Sequence, residues 1–535
     1  IFCRGRVCGE NALKTPKPEN LAWCLLLGLS IVLHLWGLGD RTFHHDEAVH
    51  AHYAFQLAYS GEYRYDPVYH GPVLFYIASR LFWVLGDSEF SARLTTAIFG
   101  IGMLWIAWRL RRPFGVAAAW WIGLLVTISP LFLFYGRFFR NDIIILFFSS
   151  AALLCFFAAI RSNGALRQWG AVGIWTGLAF ATKENAYVTA FLLVATLGLL
   201  GFMYGWGAFV GNTVSVLRRH WRGIAVAISW FTIIVILFYT AFFRYPEDWT
   251  FAKKAIQHWT EQHDIERVGG PWWYHVFRLI QYEFLILIAA TIWIFRRKTI
   301  RPFEAGLYIF GVLSIVVYAY LGEKTPWLGV HQIWAFIPLA GAQLARSFGS
   351  FGNRWSRATA IIGILLTSIS ALSVAFINHE ISPAHHRVES IHYTQTSPEI
   401  LSLVEDIRRV NATEGAVKAI VGNEVAWPLA WYLRHDVIRW DLNRRTPNPP
   451  IVVMASEKLE DRCEWIRCDS VFPRVNRIPV RAWWIPDLGA ASIADIVVYA
   501  LFRIPWNPVG SFEAAVLYFD EYSPAINPAS IPDKS

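Results

Sequence analysis

Apolar runs long enough to cross a bilayer recur about eleven times along the first part of this chain, and they constrain its fold more than any other feature. They lie near 21–38, 93–108, 114–134, 143–160, 169–182, 186–204, 223–243, 275–295, 303–321, 330–345 and 358–377. A hydrocarbon core about 30 Å thick takes around 20 apolar residues per helix, so the chain reads as a polytopic α-helical membrane protein. Composition agrees: of 535 residues, 55% are hydrophobic, 16% aromatic and 16% charged, unlike an ordinary soluble domain. The formal charge of +9 does not signal nucleic acid. Its basic residues are spread in short groups between the apolar runs, as topology signals are, and no nucleic-acid partner is expected.

With the amino terminus in the cytoplasm, Arg109, Arg111, Arg112, Arg161, Arg167, Arg218, Arg219, Arg222, Arg296, Arg297, Lys298, Arg301, Arg346, Arg354 and Arg357 fall on one side. The other side receives Asp46, Glu47, Asp87, Glu89, Asp142, Glu247, Asp248, Glu261, Asp264, Glu266 and Glu323, mixed with bases. That asymmetry is the positive-inside pattern of a multi-pass protein in a plasma or inner membrane. Residues 71–85 are apolar but too short to span upright and carry Arg80. Together with a helix from Asp46 to Tyr59 they predict amphipathic structure in the outer interface, within a loop covering 42–86. The membrane domain is then 1–378. After Ile377 charge and proline rise and short β-like runs such as Val417 to Val421 and Ile451 to Met454 alternate with helical stretches. An odd number of spans places 379–535 outside, as an extracytoplasmic α/β domain. Its first helix is expected to open at Ser397 with Pro398 at the first helical position, along a stripe of Ile400, Leu401, Val404 and Ile407. The chain opens on Ile rather than Met, which leaves room for a start upstream, and no stretch before Leu21 reads as a cleavable signal. The six cysteines include no C-x-x-C pair; Cys24 and Cys155 sit in apolar runs, while Cys463 and Cys468 stay free or close a short disulfide loop, depending on the compartment.

Chemistry concentrates at the outer ends of the spans. Just after the first run comes T-F-H-H-D-E-A-V-H-A-H-Y, with Asp46 and Glu47 where two carboxylates have no packing role. A carboxylate there can take a proton from a hydroxyl, or it can simply cap the helix that follows. Glu47 can orient a partner, bind a cation or complement the helix dipole. His44, His45, His50 and His52 surround the acids, and Glu47 with His50 forms one E-x-x-H. Bundle sites for two metals need two such pairs, and no second copy occurs in a span. No metal or other cofactor is therefore expected to be required, with a divalent ion held by these residues as the alternative. Cations follow in Y-G-R-F-F-R-N-D (Arg137, Arg140, Asp142), A-T-K-E-N (Lys183, Glu184) and G-E-K-T-P-W (Lys324). They either snorkel to headgroups or stabilise a phosphate leaving group. The aromatic, mixed-charge loop from Arg244 to Tyr274 is a lid candidate, and Asn411-Ala-Thr forms a sequon.

Taken in order, these residues resemble the GT-C superfamily of integral-membrane glycosyltransferases, and within it glycosyltransferase family 39, which includes protein O-mannosyltransferases and lipid A aminoarabinose transferases. The acid pair is followed by Y-H-G-P-V-L-F-Y, G-D-S-E-F-S-A-R-L, R-F-F-R-N-D and A-T-K-E-N, covering about the first 190 residues. Further on, Q-H-D-I-E-R-V-G-G-P-W-W-Y, G-E-K-T-P-W-L-G-V-H and W-P-L-A-W-Y-L-R are similar to a prokaryotic branch known as flippase-activity-associated. The resemblance implies transfer of a sugar from a polyprenyl-phosphate carrier to an acceptor hydroxyl on a glycan, lipid or protein at the outer face, with inversion. Asp46 matches the family's base, and Glu47 would shape the acceptor site. Arg137, Arg140, Lys183 and Lys324 would hold the carrier phosphate, with His45, His70, Asp142, Glu184 and His331 in support. The chain departs from the pattern at His70-Gly71-Pro72, where many relatives have His-Pro-Pro. Because the bilayer delivers the donor, no nucleotide loop is needed, and neither G-x-x-x-x-G-K-[ST] nor a Rossmann fingerprint occurs. The rivals are a transporter for lipid-linked sugar, which favours inverted repeats and broken helices not visible in the sequence, and a non-catalytic scaffold of envelope biogenesis.

Overall fold

The computed structural model describes residues 18–162, 165–263, 271–322, 324–350, 352–412, 419–440, 450–459 and 474–519. The apolar runs form helices that end where glycine, proline or charge interrupts them. The first group is α1 (Pro18–Leu35), α2 (His45–Tyr59), α3 (Val73–Leu85) and α4 (Glu89–Arg109). Next come α5 (Arg111–Phe114), α6 (Val116–Ile128), α7 (Pro130–Gly136) and α8 (Asp142–Arg161). They are followed by α9 (Leu166–Phe180), α10 (Asn185–Tyr204), α11 (Trp206–Tyr239) and α12 (Phe251–His263). The bundle closes with α13 (Tyr274–Phe295), α14 (Pro302–Tyr320), α15 (Gly329–Trp334), α16 (Ile337–Phe348) and α17 (Arg354–Leu372).

Among the described residues, seven of these helices are long and apolar enough to cross a membrane, and an eighth counts if α6 and α7 form one span. Three of the eleven expected runs fall short. The described part of α1 is brief, α9 has only 15 residues, and the run at 330–345 divides into α15 and α16 ahead of Pro338. Length is not what holds α9 in place. A side chain at Gly173 would collide with the Ala227 carbonyl of α11, so the small residue permits the close helix approach common in membranes.

Broken helices do occur. α6 and α7 are bent by 61° at Ser129. Ser129 caps α7 by accepting from Phe132 N at 3.2 Å, and Pro130 takes the first helical position. The bend is locked from α13, where Glu283 leaves helical geometry and its Oε1 accepts from Ser129 Oγ (2.6 Å) and Leu131 N (2.9 Å). An acid inside a span thus serves backbone groups that a broken helix leaves orphaned.

Beyond α17 the chain forms a five-stranded sheet in the order β1-β4-β5-β3-β2, with β1 at Gln395–Thr396, β2 at Ile420–Val421, β3 at Ile451–Ala455, β4 at Arg474–Trp483 and β5 at Gly510–Tyr518. β2 and β3 are parallel and the other pairs antiparallel. The accompanying helices are α18 (Ile400–Asn411), α19 (Ala426–Tyr432) and α20 (Ile493–Phe502). α18 begins later than expected. Ser397 and Pro398 form the preceding turn, Ser397 Oγ being engaged with Glu399. Leu401 faces outward, and the buried stripe is Ile400, Leu403, Val404, Ile407 and Val410. The core of this region continues into α2 and α3. Trp431 of α19 is fully buried between Phe43 and Phe82, with ring centroids 5.2 and 5.8 Å away. Its Nε1 donates to Glu89 at 2.9 Å, and Arg434 pairs with Asp87 at 2.6 Å. Cys463 and Cys468 lie outside the described residues.

Candidate active site

α2 begins with a capping arrangement that separates its two acids. His44 is the N-cap, its Nδ1 accepting from Asp46 N at 2.9 Å, while Glu47 Oε2 accepts from His44 N at 2.9 Å. Glu47, three residues past the N-cap, is therefore the acid that completes the capping box. Asp46 does not cap the helix, and its side chain is free to point elsewhere.

Glu47 is fully buried in a knot of arginines. Arg93 donates to both of its oxygens at 2.9 Å, Arg41 donates at 3.0 Å, and Phe139 N at 2.7 Å. Burial alone would push its carboxyl up, but the Arg93 and Arg41 guanidiniums hold it down at about 2. Arg93 also donates to the carbonyls of Leu38, Arg41 and Thr42, so this knot fixes the chain between α1 and α2.

Asp46 meets a different set of groups. Its side chain is 28% exposed and forms an ion pair with Arg140, which sits in the turn between α7 and α8. Arg140 donates from Nη2 to His70 Nε2 at 3.1 Å, lies 3.5 Å from Asp142, and stacks 3.8 Å from the centroid of Trp327. His70 in turn donates from Nδ1 to Glu184 at 2.9 Å. Behind Arg140, Asp142 accepts from Lys183 Nζ (2.9 Å) and His331 Nε2 (3.2 Å). His70 has φ +66, a left-handed conformation uncommon outside glycine, and the next residue explains its tolerance. Gly71 N donates to Thr182 O at 3.2 Å, and a side chain at Gly71 would run into the Ala181 carbonyl. The glycine that departs from His-Pro-Pro thus makes a bond that proline cannot.

Asp46 and Arg140 open onto a cavity of about 440 Å³, within the roughly 300–1,000 Å³ of small-molecule sites. α2 supplies its wall and Tyr69 and His70 line it from the turn before α3, with Trp327 and Tyr318 on further sides. Tyr393, Thr394 and Arg481 line it from the C-terminal region, and His258 of α12 does so from the expected lid. Arg481 stands at a β-bulge in β4, across from Thr396 of β1 and 4.6 Å from the Phe512 ring. It donates to His45 Nδ1 at 3.3 Å, its Nε is buried without a partner, and among the described residues it pairs with no carboxylate. Thr394, at φ +47, bonds His44 Nε2 at 3.1 Å. Burial, reinforced by Arg481 and Arg140, holds His45 down at about 3; burial with His70 and Lys183 nearby does the same for His50. These two imidazoles are neutral at pH 7, and the permanent positive charges facing the cavity are those of Arg140 and Arg481.

The structure therefore brings His45, Asp46, His70 and Arg140 to one surface and stacks Asp142, Lys183, Glu184 and His331 behind it. Three expected site residues lie elsewhere. Glu47 is enclosed in its knot. Arg137 donates to the carbonyls of Leu33, His34, Trp36 and Gly37 at the end of α1 and lines a separate cavity of about 140 Å³. Lys324 donates to the carbonyls of Ala319 (2.6 Å), Tyr318 and Leu321 at the end of α14. Both cations satisfy helix ends, which carry orphaned carbonyls and partial negative charge. Sequence reasoning missed Arg481, Thr394 and Tyr393, none of which carries a local motif, and singled out His258 only as part of the lid candidate. Among the described residues no three His, Cys, Asp or Glu side chains gather as a metal-holding group.

Residues 69–240 match the family model described as "Dolichyl-phosphate-mannose-protein mannosyltransferase". No curated protein sequence matches the chain. Among solved structures it is similar to ArnT from Cupriavidus metallidurans bound to undecaprenyl phosphate, at 14% identity and a TM-score of 0.58, over 92% of this chain and 97% of that one. The apo state of the same enzyme gives 14% and 0.57, over 95% and 99%. The Archaeoglobus fulgidus oligosaccharyltransferase, in complex with Zn and sulfate, gives 13% and 0.50, over 83% and 69%. Likeness at these identities is one of fold, and the fold is the polytopic GT-C architecture.

Proposed function

We propose that the chain is a GT-C glycosyltransferase of the family 39 type that moves a sugar from a polyprenyl-phosphate carrier to an acceptor hydroxyl at the extracytoplasmic face, a reading supported by the family-model match over residues 69–240 and by the shared fold. The single observation that carries this reading is that Asp46 opens onto a cavity shared with Arg140 and Arg481. The acceptor oxygen attacks the anomeric carbon from the face opposite the phosphate, and Asp46 takes the hydroxyl proton. The bond from that carbon to the phosphate oxygen breaks, and its electron pair leaves with the carrier, so the sugar inverts. Charge then grows on the phosphate, where fixed guanidiniums stabilise it best.

Arg140 has two roles in turn. It pairs with Asp46. A phosphate entering from the lipid competes for the same guanidinium and frees the carboxylate, so the base becomes available as the donor arrives. Asp142 and His70 keep Arg140 in reach of both partners. Tyr69 and Tyr393 offer aromatic surface for the sugar. The acceptor class is a glycan, a lipid or a protein carrying an accessible hydroxyl.

The test is transfer in detergent by the full chain, using a radiolabelled polyprenyl-phosphate sugar and an envelope extract as acceptor. Wild type is expected to yield labelled product, and Asp46→Asn to lower the rate about 10²–10⁴-fold, the range for loss of a positioned base. Undiminished transfer by the variant would refute the assignment. Transport of the donor without any transfer would favour the rival reading as a carrier.

A further inference from the structure

α20 is out of character for a domain surrounded by water. Its sequence, I-A-D-I-V-V-Y-A-L-F, has a single charge. That charge is confined to the helix start, where Asp495 accepts from Ser492 N (2.9 Å) and Ser492 Oγ (2.7 Å) as half of a capping box. Only Tyr499 is buried, whereas Ile493 is 83%, Val497 50%, Leu501 69% and Phe502 54% exposed. Soluble surfaces rarely leave so continuous an apolar face open without a partner.

The helix is tied to two spans of the bundle. Tyr499 OH accepts from Gln281 of α13 at 3.3 Å and from Ser390 N at 2.9 Å. Arg503, just past the helix, pairs with Glu389 at 3.0 Å and donates to Ser370 of α17 at 3.3 Å. Next to those contact points, Ile280 is 60% and Ile369 63% exposed. The open face of α20 thus continues the apolar outer surface of α13 and α17, the surface that lipid must cover.

We propose that α20 is an interfacial helix that seats the C-terminal domain in the acyl-chain boundary of the bilayer. Its ten residues reach only about 15 Å, half of a hydrocarbon core, so it lies in the membrane surface and does not cross it. Trp484 and Trp506 pack on Tyr499, with Trp484 4.5 Å from it, between the seat and the end of β4. Arg481 is three residues before Trp484, so seating α20 also fixes the height of the strand that carries Arg481 over the cavity. The seat stands independently of the reaction assigned to Asp46.

The test uses the full chain in lipid nanodiscs with Leu501→p-benzoylphenylalanine, and Val437→p-benzoylphenylalanine as the control. Val437 belongs to the same domain and is 71% exposed. Irradiation followed by mass spectrometry is expected to give lipid adducts at 501 several-fold above those at 437. Equal yields at the two positions, or adducts at 501 to a second copy or to another part of the same chain, would overturn the proposal. Both substitutions put an aromatic group on an open surface and keep the fold, so absence of a lipid adduct counts against it directly.

Discussion

Asp46 and Glu47 share a peptide bond and belong to two different regions of the molecule. Glu47 has both oxygens occupied by two arginines and two backbone N–H groups, with no exposure. Asp46 has one cationic partner and a face open to the cavity. A carboxylate with every lone pair engaged in a dry site can only hold structure, because any proton or ligand it accepted would break a buried pair. A carboxylate with one ion-pair partner and room beside it can receive a substrate hydroxyl. The difference comes from the backbone: the helix start turns one acid into the cap and the other out toward the cleft.

Replacing each acid by its amide should therefore have opposite consequences. Asp46→Asn leaves Arg140 with Asp142 and His70, so its thermal midpoint in detergent should stay close to wild type while transfer is lost. Glu47→Gln strands Arg41 and Arg93, and removing one partner of a buried ion pair costs about 3–5 kcal/mol. The expected result is a low folded yield and a depressed midpoint, with near-normal activity per folded molecule. A stable, well-folded Glu47→Gln protein that is inactive would break the contrast and return Glu47 to the reaction.

The arginines sharpen it further. Arg481 faces the cavity with no carboxylate partner among the described residues, whereas Arg137 bonds four carbonyls of the α1 end. Arg481→Gln should weaken binding of polyprenyl phosphate by roughly 10–100-fold, the equivalent of one charge-assisted hydrogen bond at about 1.5–3 kcal/mol. Arg137→Gln should leave that affinity unchanged and lower stability instead. Titration of both variants with the carrier lipid reads the two outcomes.

How much of this was readable in advance depends on how local the cause is. The bilayer imposes length and composition on each helix, so α4, α8, α10, α13, α14 and α17 show in the sequence, as do α2 and α3 between spans. Asp46, Arg140 and His70 stand out because charged groups at span ends are conspicuous. The break at Ser129 was hidden, since its lock, Glu283, lies in another span and looks like an isolated acid. α20 escaped because ten apolar residues are too few to register as a span. Arg481 was invisible because a bulge and strand pairing with β1 aim it, and neither is a property of its neighbours in the chain. Lys324 and Arg137, expected as phosphate ligands, instead bond carbonyls at helix ends, because a cation at a span end equally well satisfies a helix carboxy terminus.

Acidification reaches the two regions in succession, the histidines first. His45 and His50 are held at about 3 by burial against an ordinary 6.5, and His44 is also well below that value. Between pH 6.5 and 3 the unfolded chain binds protons there that the folded chain refuses, so stability rises with pH across that window and falls on acidification. Glu47, at about 2 against 4.5, contributes stability that is complete above 4.5 and is lost only as pH falls toward 2. Loss between pH 6.5 and 4.5 therefore reports buried histidines, and below 4.5 the arginine knot adds its own loss to theirs. Thermal midpoints measured from pH 8 to 4 should show the histidine limb, and His50→Asn should make it shallower. If the curve stays level down to pH 4.5, those imidazoles are not buried as described.

The smallest expected effect is at Lys324, where the distinction between holding structure and touching substrate is easiest to blur. Its ammonium donates to three carbonyls at the end of α14, and its chain neighbours Gly322 and Thr325 line the cavity although Lys324 itself does not. A cation at a helix carboxy terminus is worth about 0.3–1 kcal/mol, so Lys324→Gln should lower the thermal midpoint slightly and leave carrier affinity as it was. A phosphate ligand would behave differently: losing it would raise the dissociation constant for polyprenyl phosphate at least as much as Arg481→Gln does, with little change in stability. Measuring both quantities on the one variant decides which description holds, because a helix cap and a phosphate ligand move them in opposite proportion.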